Sequence, residues 1–335
     1  MNHNRKYTFA PVAIFAFNRP DHLSKTINAL KKNNMASSTD VIIYCDGPKT
    51  EMDLDNVNAI HKIADTTNGF NSVIVKKKQK NAGLASSIIN GVTEIVEEFG
   101  KVIVVEDDIV MAPNALKYFN DMLTKYELHQ EIFSISGFSF PETKMQFPEN
   151  YDYDVYAIPR MQCWGWATWK DKWNKADFSM SGYDDFNASE ILKQSYGYRI
   201  GFDSLNTLNA CVKNNKDVWA CRWVYTHFIN NALCLCPVKS LVENIGLDGS
   251  GQNCGVQDMN NEFISNTQTE WRCPPFGFID HDIHKSFMSC FGQDIKNQKE
   301  KNIKNKKEKN IKNQKEKSSN TLSWFKTLIE GIIKK

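Results

Sequence analysis

Residues 100–116 read GKVIVVEDDIVMAPNAL. The run from Val102 to Val105 is wholly apolar and β-branched, and it stops at three consecutive acids, Glu106, Asp107 and Asp108. β-Branched residues without polar alternation mark a strand covered on both faces, the pattern of a parallel sheet between helices. Three carboxylates at the end of such a strand repel one another, so something must compensate them. A divalent cation would do so, since Mg²⁺ and Mn²⁺ are held by one or two carboxylates together with substrate phosphate oxygens. Alternatively, DDIVMAPNAL leads into a helix, and acids are favoured at a helix N-terminus by its dipole. This stretch alone leaves both readings open.

On either side, the first 140 residues alternate short β-branched runs with amphipathic stretches. Strands are expected at PVAIFAF (11–17), DVIIYCD (40–46), SVIVKKK (72–78), KVIVVED (101–107) and IFSISG (132–137). Helical periodicity falls on DHLSKTINALKKN, GLASSIINGVTEIVEEFG and NALKYFNDMLTKYE. That alternation predicts an α/β fold of βαβ units around a mostly parallel sheet. Ligands in such sheets bind outside the carboxyl ends of the strands. The polar endings FNRPD, YCDGPK and VEDD therefore share one rim, and a site is expected there. From about 150 to 290 the sequence is less regular, rich in Trp, Tyr and Asn, with helices expected at 186–197 and 202–215. No linker separates the halves. The expected organisation is one domain over 1–294, in two halves, 8–140 and 141–294, the second facing a substrate.

The formal net charge of +2 conceals an asymmetry. Thirteen of the 41 Lys and Arg, and four of the 39 Asp and Glu, lie from Ile295 onward, so the tail carries +9 and the rest −7. A mildly acidic body is a poor nucleic-acid binder. Residues 295–318 repeat an octapeptide (IKNQKEKN, IKNKKEKN, IKNQKEKS) with one Ile per unit, a charged spacer that cannot build a core. Residues 319–335 place Leu322, Phe325, Leu328, Ile329, Ile332 and Ile333 on one helical face with lysines outside it. A basic amphipathic helix after a Lys-rich spacer suits an anionic membrane surface, or else docking on the body or on a second copy. Nine cysteines without a CxxC pair read as reduced thiols, hence cytoplasmic. The N-terminal FAPVAIFAF is too short to span a bilayer, and no signal peptide is evident. The histidines show no zinc-binding spacing.

Seven segments in order, PVAIFAFNRPDHLSKTINAL, YCDGPK, KNAGLASSIINGV, VVEDDIVMAPNALKYFNDML, SISGF, WGWATWKDKW and NNALCLCPVKSLVENIGLDGSG, cover about residues 9–255. Together they resemble the GT-A glycosyltransferases, specifically the inverting N-acetylglucosaminyltransferase I-like group and its bacterial polysaccharide relatives. The resemblance implies a Rossmann-like GT-A fold, a nucleotide-sugar donor, Mn²⁺ or Mg²⁺, and a glycan or lipid-linked glycan acceptor. Phe17, Asn18 and Arg19 correspond to the part that holds the nucleotide base and phosphates. Asp46 matches the acid that accepts a hydrogen bond from the base, favouring uracil or thymine. Asn81, Gly83 and Leu84 match the loop beneath ribose and sugar, with Lys80 near a phosphate or simply solvated. Asp108 would ligate the metal, while Glu106 and Asp107 face ribose and donor sugar. Trp164, Gly165 and Trp166 are similar to the wall of the donor-sugar pocket, although aromatic pairs of this kind also fill cores.

The implied chemistry is a single in-line displacement, in which metal and phosphate contacts stabilise the leaving nucleoside diphosphate. A carboxylate on the opposite face takes the acceptor proton. Here the sequence departs from the resemblance. Where relatives carry an Asp between aromatics, DVWACRW has Ala220; where they place a metal-touching His, GSGQNC has Asn253. The base is then Asp248, whose neighbouring glycines allow close approach of backbone to ligand, or Asp217. Asp248 also reads as an ordinary Asp-Gly turn. Arg222 pairs with a phosphate or a neighbouring acid. Two competing functions are a sugar-phosphate nucleotidyltransferase, disfavoured because FNRPDH lacks a glycine-rich loop, and a non-catalytic nucleotide- or sugar-binding protein.

Overall fold

The computed structural model describes residues 9–214, 217–249, 268–275 and 278–291. Asn253, Ser250, the octapeptide repeats and the 319–335 segment lie outside them. In chain order the elements are β1 (Val12–Ala16), α1 (Pro20–Lys31), β2 (Asp40–Cys45), α2 (Leu54–Asp65), β3 (Ser72–Lys77), α3 (Leu84–Phe99), β4 (Lys101–Glu106), β5 (Ile109–Met111) and α4 (Ala115–Lys125). The second half holds β6 (Ile132–Ser136), β7 (Val155–Ile158), β8 (Trp166–Trp169), α5 (Lys170–Trp173), α6 (Tyr183–Ala188), α7 (Glu190–Arg199), α8 (Phe202–Lys213), α9 (Ala220–Ile229), β9 (Leu233–Pro237), β10 (Val242–Asn244) and α10 (His281–Ser289). All lie in the first of the chain's two compact units, Met1–Cys290.

The main sheet has eight strands in the order β3-β2-β1-β4-β8-β6-β9-β7. β1 pairs in parallel with β2 and β4, β2 with β3, and β6 with β9; only β8 and β7 join the sheet antiparallel. The expected α/β architecture with a mostly parallel sheet and flanking helices is therefore what the chain adopts. Continuous apolar runs make β1, β2 and β4 buried along almost their whole length, whereas SVIVKK forms the edge strand β3, where Lys76 and Lys77 reach solvent. Between β3 and β4, α3 begins after Gly83 (φ 84°) and ends at Gly100 in the left-handed region (φ 79°), a conformation that glycine adopts without a Cβ penalty. It buries Ile88, Val92, Ile95 and Val96 on one face.

The second half corrects the expected outline. The helix expected at 186–197 is two: Ser189 interrupts it, its side chain accepting from the Leu192 N–H at 3.3 Å as the N-cap of α7. A serine that caps competes with helix continuation. The helix expected at 202–215 ends at Lys213. β5, β7, β8, β9 and β10 were not anticipated. They are short, three to five residues each, and WATW in β8 and LCLCP in β9 lack the alternation that marks a half-buried strand. β8 wedges between β4 and β6, with Val104 opposite Trp166 and Ile135 opposite Ala167. Behind it, Trp166, Trp173, Trp219 and Trp223 form a fully buried cluster, Trp166 stacked on Trp219 at 5.0 Å between centroids. β10 pairs antiparallel with β5, Asn244 opposite Ile109. That small ribbon brings residues 245–249 over the acids at the end of β4.

Candidate active site

The first strand ends at Ala16, and the chain turns through Phe17, Asn18 and Arg19 into α1. Pro20 occupies the first helical position, where a missing N–H leaves no bond unmade. Parallel pairing sets Phe15 beside Glu106, so the turn lies against the acid triplet. Arg19 Nη2 donates to Asp107 Oδ1, and Nη1 lies 2.9 Å from Asp108 Oδ2. Here is the compensation the repelling acids require, and it comes from 88 residues away. The Asp107 backbone carbonyl accepts from Thr26 Oγ1 at 2.8 Å, and the Phe17 N–H approaches its carboxylate at 3.5 Å.

One arginine against three acids leaves the rim electronegative. Burial pushes the Asp107 carboxyl up to about 6, although Arg19 opposes the rise. Burial also raises Glu106, with Asp108 and Asp107 adding to it; Arg19 and the Trp219 indole, which donates to Glu106, work the other way. Burial disfavours the Arg19 cation, but the two aspartates outweigh it and hold the guanidinium protonated.

The 245–249 loop closes over this group. Asn244 Oδ1 accepts from the Gly246 N–H at 2.8 Å, and the Ile245 N–H donates to the Asp108 carbonyl at 2.9 Å. Gly246 packs so closely that an added Cβ would run into Asp108 Oδ2 and come within 2.9 Å of Arg19 Nη1. Asp248 follows, its side chain 50% exposed, with Oδ2 3.3 Å from His22 Nε2. Arg19, Asp107 and Asp108 thus form one group with Glu106 beside them, and the loop that covers it carries Asp248, paired with His22. His22 escaped sequence reasoning, yet it stands three residues after Arg19 at the start of α1.

The other candidate residues have the following surroundings. Asp46 is buried and accepts three backbone N–H groups, from Gly47 at 3.0 Å, Ala82 at 2.9 Å and Gly83 at 3.2 Å. It braces the 80–83 loop, helped by Asn81 Nδ2 donating to the Gly47 carbonyl at 3.1 Å. Asn18 donates to Asp53 Oδ1 at 2.8 Å. Lys80 is exposed. Asp217 caps α3 from a distance: its two oxygens accept the Leu84 N–H at 2.7 Å and the Ala85 N–H at 2.9 Å. Trp164 is half-exposed and packs edge-on against Phe138. Gly165 (φ 57°) turns the chain, and Trp166 is buried in the tryptophan cluster. Ala220 opens α9, so position 220 itself offers no carboxylate.

Beside the capped end of α3 is an open cleft of about 400 Å³, whose lining includes Ser86, Asn90, Phe178, Asp217 and Arg222. Among the described residues no three His, Cys, Asp or Glu side chains come together as a metal cage, and no helix is long and apolar enough to cross a membrane.

A doubly covered, mostly parallel sheet with an acidic rim and a loop folded over it defines the GT-A class of glycosyltransferases. Residues 12–187 match glycosyl transferase family 2, and the chain belongs to that family. No curated protein sequence matches significantly. Similar solved structures include S. aureus TarS (TM-score 0.38, 11% identity, 69% of this chain and 36% of that one). They also include the mannosyltransferase PcManGT from Pyrobaculum calidifontis in complex with GDP-Man and Mn²⁺ (0.38, 11%, 67% and 72%). A shorter TarS structure, 1–349, gives 0.36 and 10%, covering 69% of this chain and 59% of that one. The chain thus spans about a third of the first of these TarS chains.

Proposed function

We propose that the protein transfers a hexosyl or N-acetylhexosaminyl group from a nucleotide sugar, a UDP-sugar above others, to a hydroxyl of a bacterial surface glycan. The transfer is inverting, in the manner of the N-acetylglucosaminyltransferase I-like group. The observation that carries this reading is the Arg19–Asp107–Asp108 cluster at the end of β4, covered by the loop that bears Asp248.

The residues fit a divalent cation of the one-carboxylate kind rather than a protein cage. Asp108 is 13% exposed, with one oxygen beside Arg19, and the triplet retains negative charge beyond what Arg19 neutralises. Asp108 would hold Mn²⁺ or Mg²⁺; Asn253, outside the described residues, is the second proposed ligand. When bound, the cation supplies charge stabilisation to a departing diphosphate. Arg19 adds a fixed cation at the same rim, where preorganised charge counts for more than in water. Phe17, Asn18 and the 81–84 loop flank the nucleotide, and Trp164 presents a ring to the donor sugar. Asp248 takes the acceptor proton: its carboxylate is half in solvent, on the side a substrate would approach, and His22 lies 3.3 Å from it. Asp217 ranks behind it because both its oxygens are engaged by α3. The basic 319–335 segment would hold the enzyme at the anionic cytoplasmic face of the plasma membrane.

The test is thermal stabilisation and donor hydrolysis across a nucleotide-sugar panel with and without Mn²⁺. Metal-dependent turnover that is lost in Asp108→Ala and in Asp248→Asn is expected. Turnover that survives Asp248→Asn removes Asp248 as base. Nucleotide binding without turnover on any donor favours a binding protein.

A further inference from the structure

We propose that the cleft beside α3 binds an anionic sugar of the acceptor glycan, with Arg222 recognising its carboxylate or phosphate. This deepens the reading above and rests on it.

Arg222 Nε is buried and has no hydrogen-bond partner. Folded proteins satisfy nearly all buried polar groups, so an orphaned guanidinium N–H at a cleft wall marks a place where a ligand completes the bonding. Asp217, the acid in the same wall, is not that partner's equivalent, because both its oxygens already accept backbone N–H groups of α3. The cleft's remaining chemistry suits a pyranose. Phe178 offers a half-exposed ring, held in place by Trp173 at 4.6 Å between centroids; such a ring packs against the C–H face of a sugar. Asn90 Nδ2 donates to Ser86 Oγ at 3.2 Å, leaving the Asn90 carbonyl oxygen and the Ser86 hydroxyl hydrogen for sugar hydroxyls. The volume of about 400 Å³ lies within the range of small-molecule sites.

Position favours the acceptor over the donor. The Arg222 backbone N–H donates to the Trp219 carbonyl at 3.0 Å in the first turn of α9, and the Trp219 indole meets Glu106. A sugar in the cleft therefore lies against α9, whose first turn also carries the Trp219 indole to Glu106, and none of Glu106, Asp107 or Asp108 lines the cleft. A neutral acceptor would leave the Arg222 N–H unmatched. A planar guanidinium fork matches carboxylate and phosphate oxygens in pairs.

Calorimetric titration of the full-length protein with glucose, glucuronate, glucose-6-phosphate and inorganic phosphate separates the possibilities. At least one anionic sugar is expected to bind at least about tenfold more tightly than glucose, the worth of one charge-assisted hydrogen bond. Which of the two does so identifies the anion. Arg222→Gln should erase that margin while glucose and UDP–Mn²⁺ still bind. Phe178→Ala should weaken all three sugars by a similar factor. Should Arg222→Gln not fold, Arg222→Lys carries the same test, because lysine keeps the charge but loses the fork. Anionic sugars no tighter than glucose, a margin that survives at position 222, or inorganic phosphate binding as tightly as the sugar phosphate would overturn the proposal. So would loss of UDP–Mn²⁺ binding in a folded Arg222→Gln, which would assign Arg222 to the donor. Failure of the glycosyltransferase reading looks different: the native protein then binds no UDP–Mn²⁺, whatever the sugars do.

Discussion

Arg19→Met removes the guanidinium from Asp107 and Asp108 while keeping much of the stem that carries it. The Arg19, Asp107 and Asp108 side chains are 20%, 5% and 13% exposed, so the cluster is largely out of water. Removing one partner of a buried pair costs about 3–5 kcal/mol. The partial exposure of Arg19 puts this case at the lower end, about 3 kcal/mol. The sign with pH follows from Asp107, whose carboxyl burial pushes up to about 6, with Arg19 opposing. Without Arg19 it rises further. A carboxyl whose folded pKa lies above its unfolded value, about 4, adds stability while protonated, and that stability is lost as pH rises through the folded pKa. The variant's deficit should therefore be small near pH 4 and complete by pH 8. Urea unfolding at the two pH values measures it, and the melting temperature at pH 8 should fall by several degrees. An equal deficit at both pH values, or none at either, would refute the view that Arg19 compensates buried carboxylates.

Two further outcomes follow from packing and capping. Gly246→Ala puts a methyl group against Asp108 Oδ2 and Arg19. It should cost about 1–3 kcal/mol by denaturant unfolding and weaken UDP–Mn²⁺ binding; unchanged binding would show that the loop is not part of the donor site. Asp217→Ala removes the two hydrogen bonds that start α3. A loss of about 1 kcal/mol is expected, as for other N-cap deletions, with donor turnover retained; turnover lost in a folded variant would make Asp217 the base.

Much of the first half was legible because its signals are local. The apolar runs at 12–16, 41–45 and 102–105 can only be buried strands, and the helices between them carry one apolar face each. From those two periods the parallel sheet and its polar rim follow. The second half was less so. WATW carries no alternation and no turn signal, and it becomes a strand only because β4 and β6 offer it hydrogen bonds on both sides. The aromatic pair Trp164 and Trp166 lies two residues apart, yet one is half-exposed and the other buried. Two residues apart would share one face of a strand, but Trp164 precedes β8 and Gly165 (φ 57°) turns the chain between them, a bend that no periodicity announces.

The sequence by itself determined the fold class, the acidic triplet at a strand end and the nearness of three strand-terminal loops, since each depends on residues adjacent in the chain. Only the tertiary structure decided how the acids are compensated, which aspartate oxygens already accept backbone N–H groups, and where Arg222 lies. Arg19 meets Asp107 across 88 residues, and Asp217 meets Leu84 across 133. No local periodicity encodes such a pairing: charges and N–H groups take whatever partner the finished packing brings within reach, and burial then fixes what each encounter is worth.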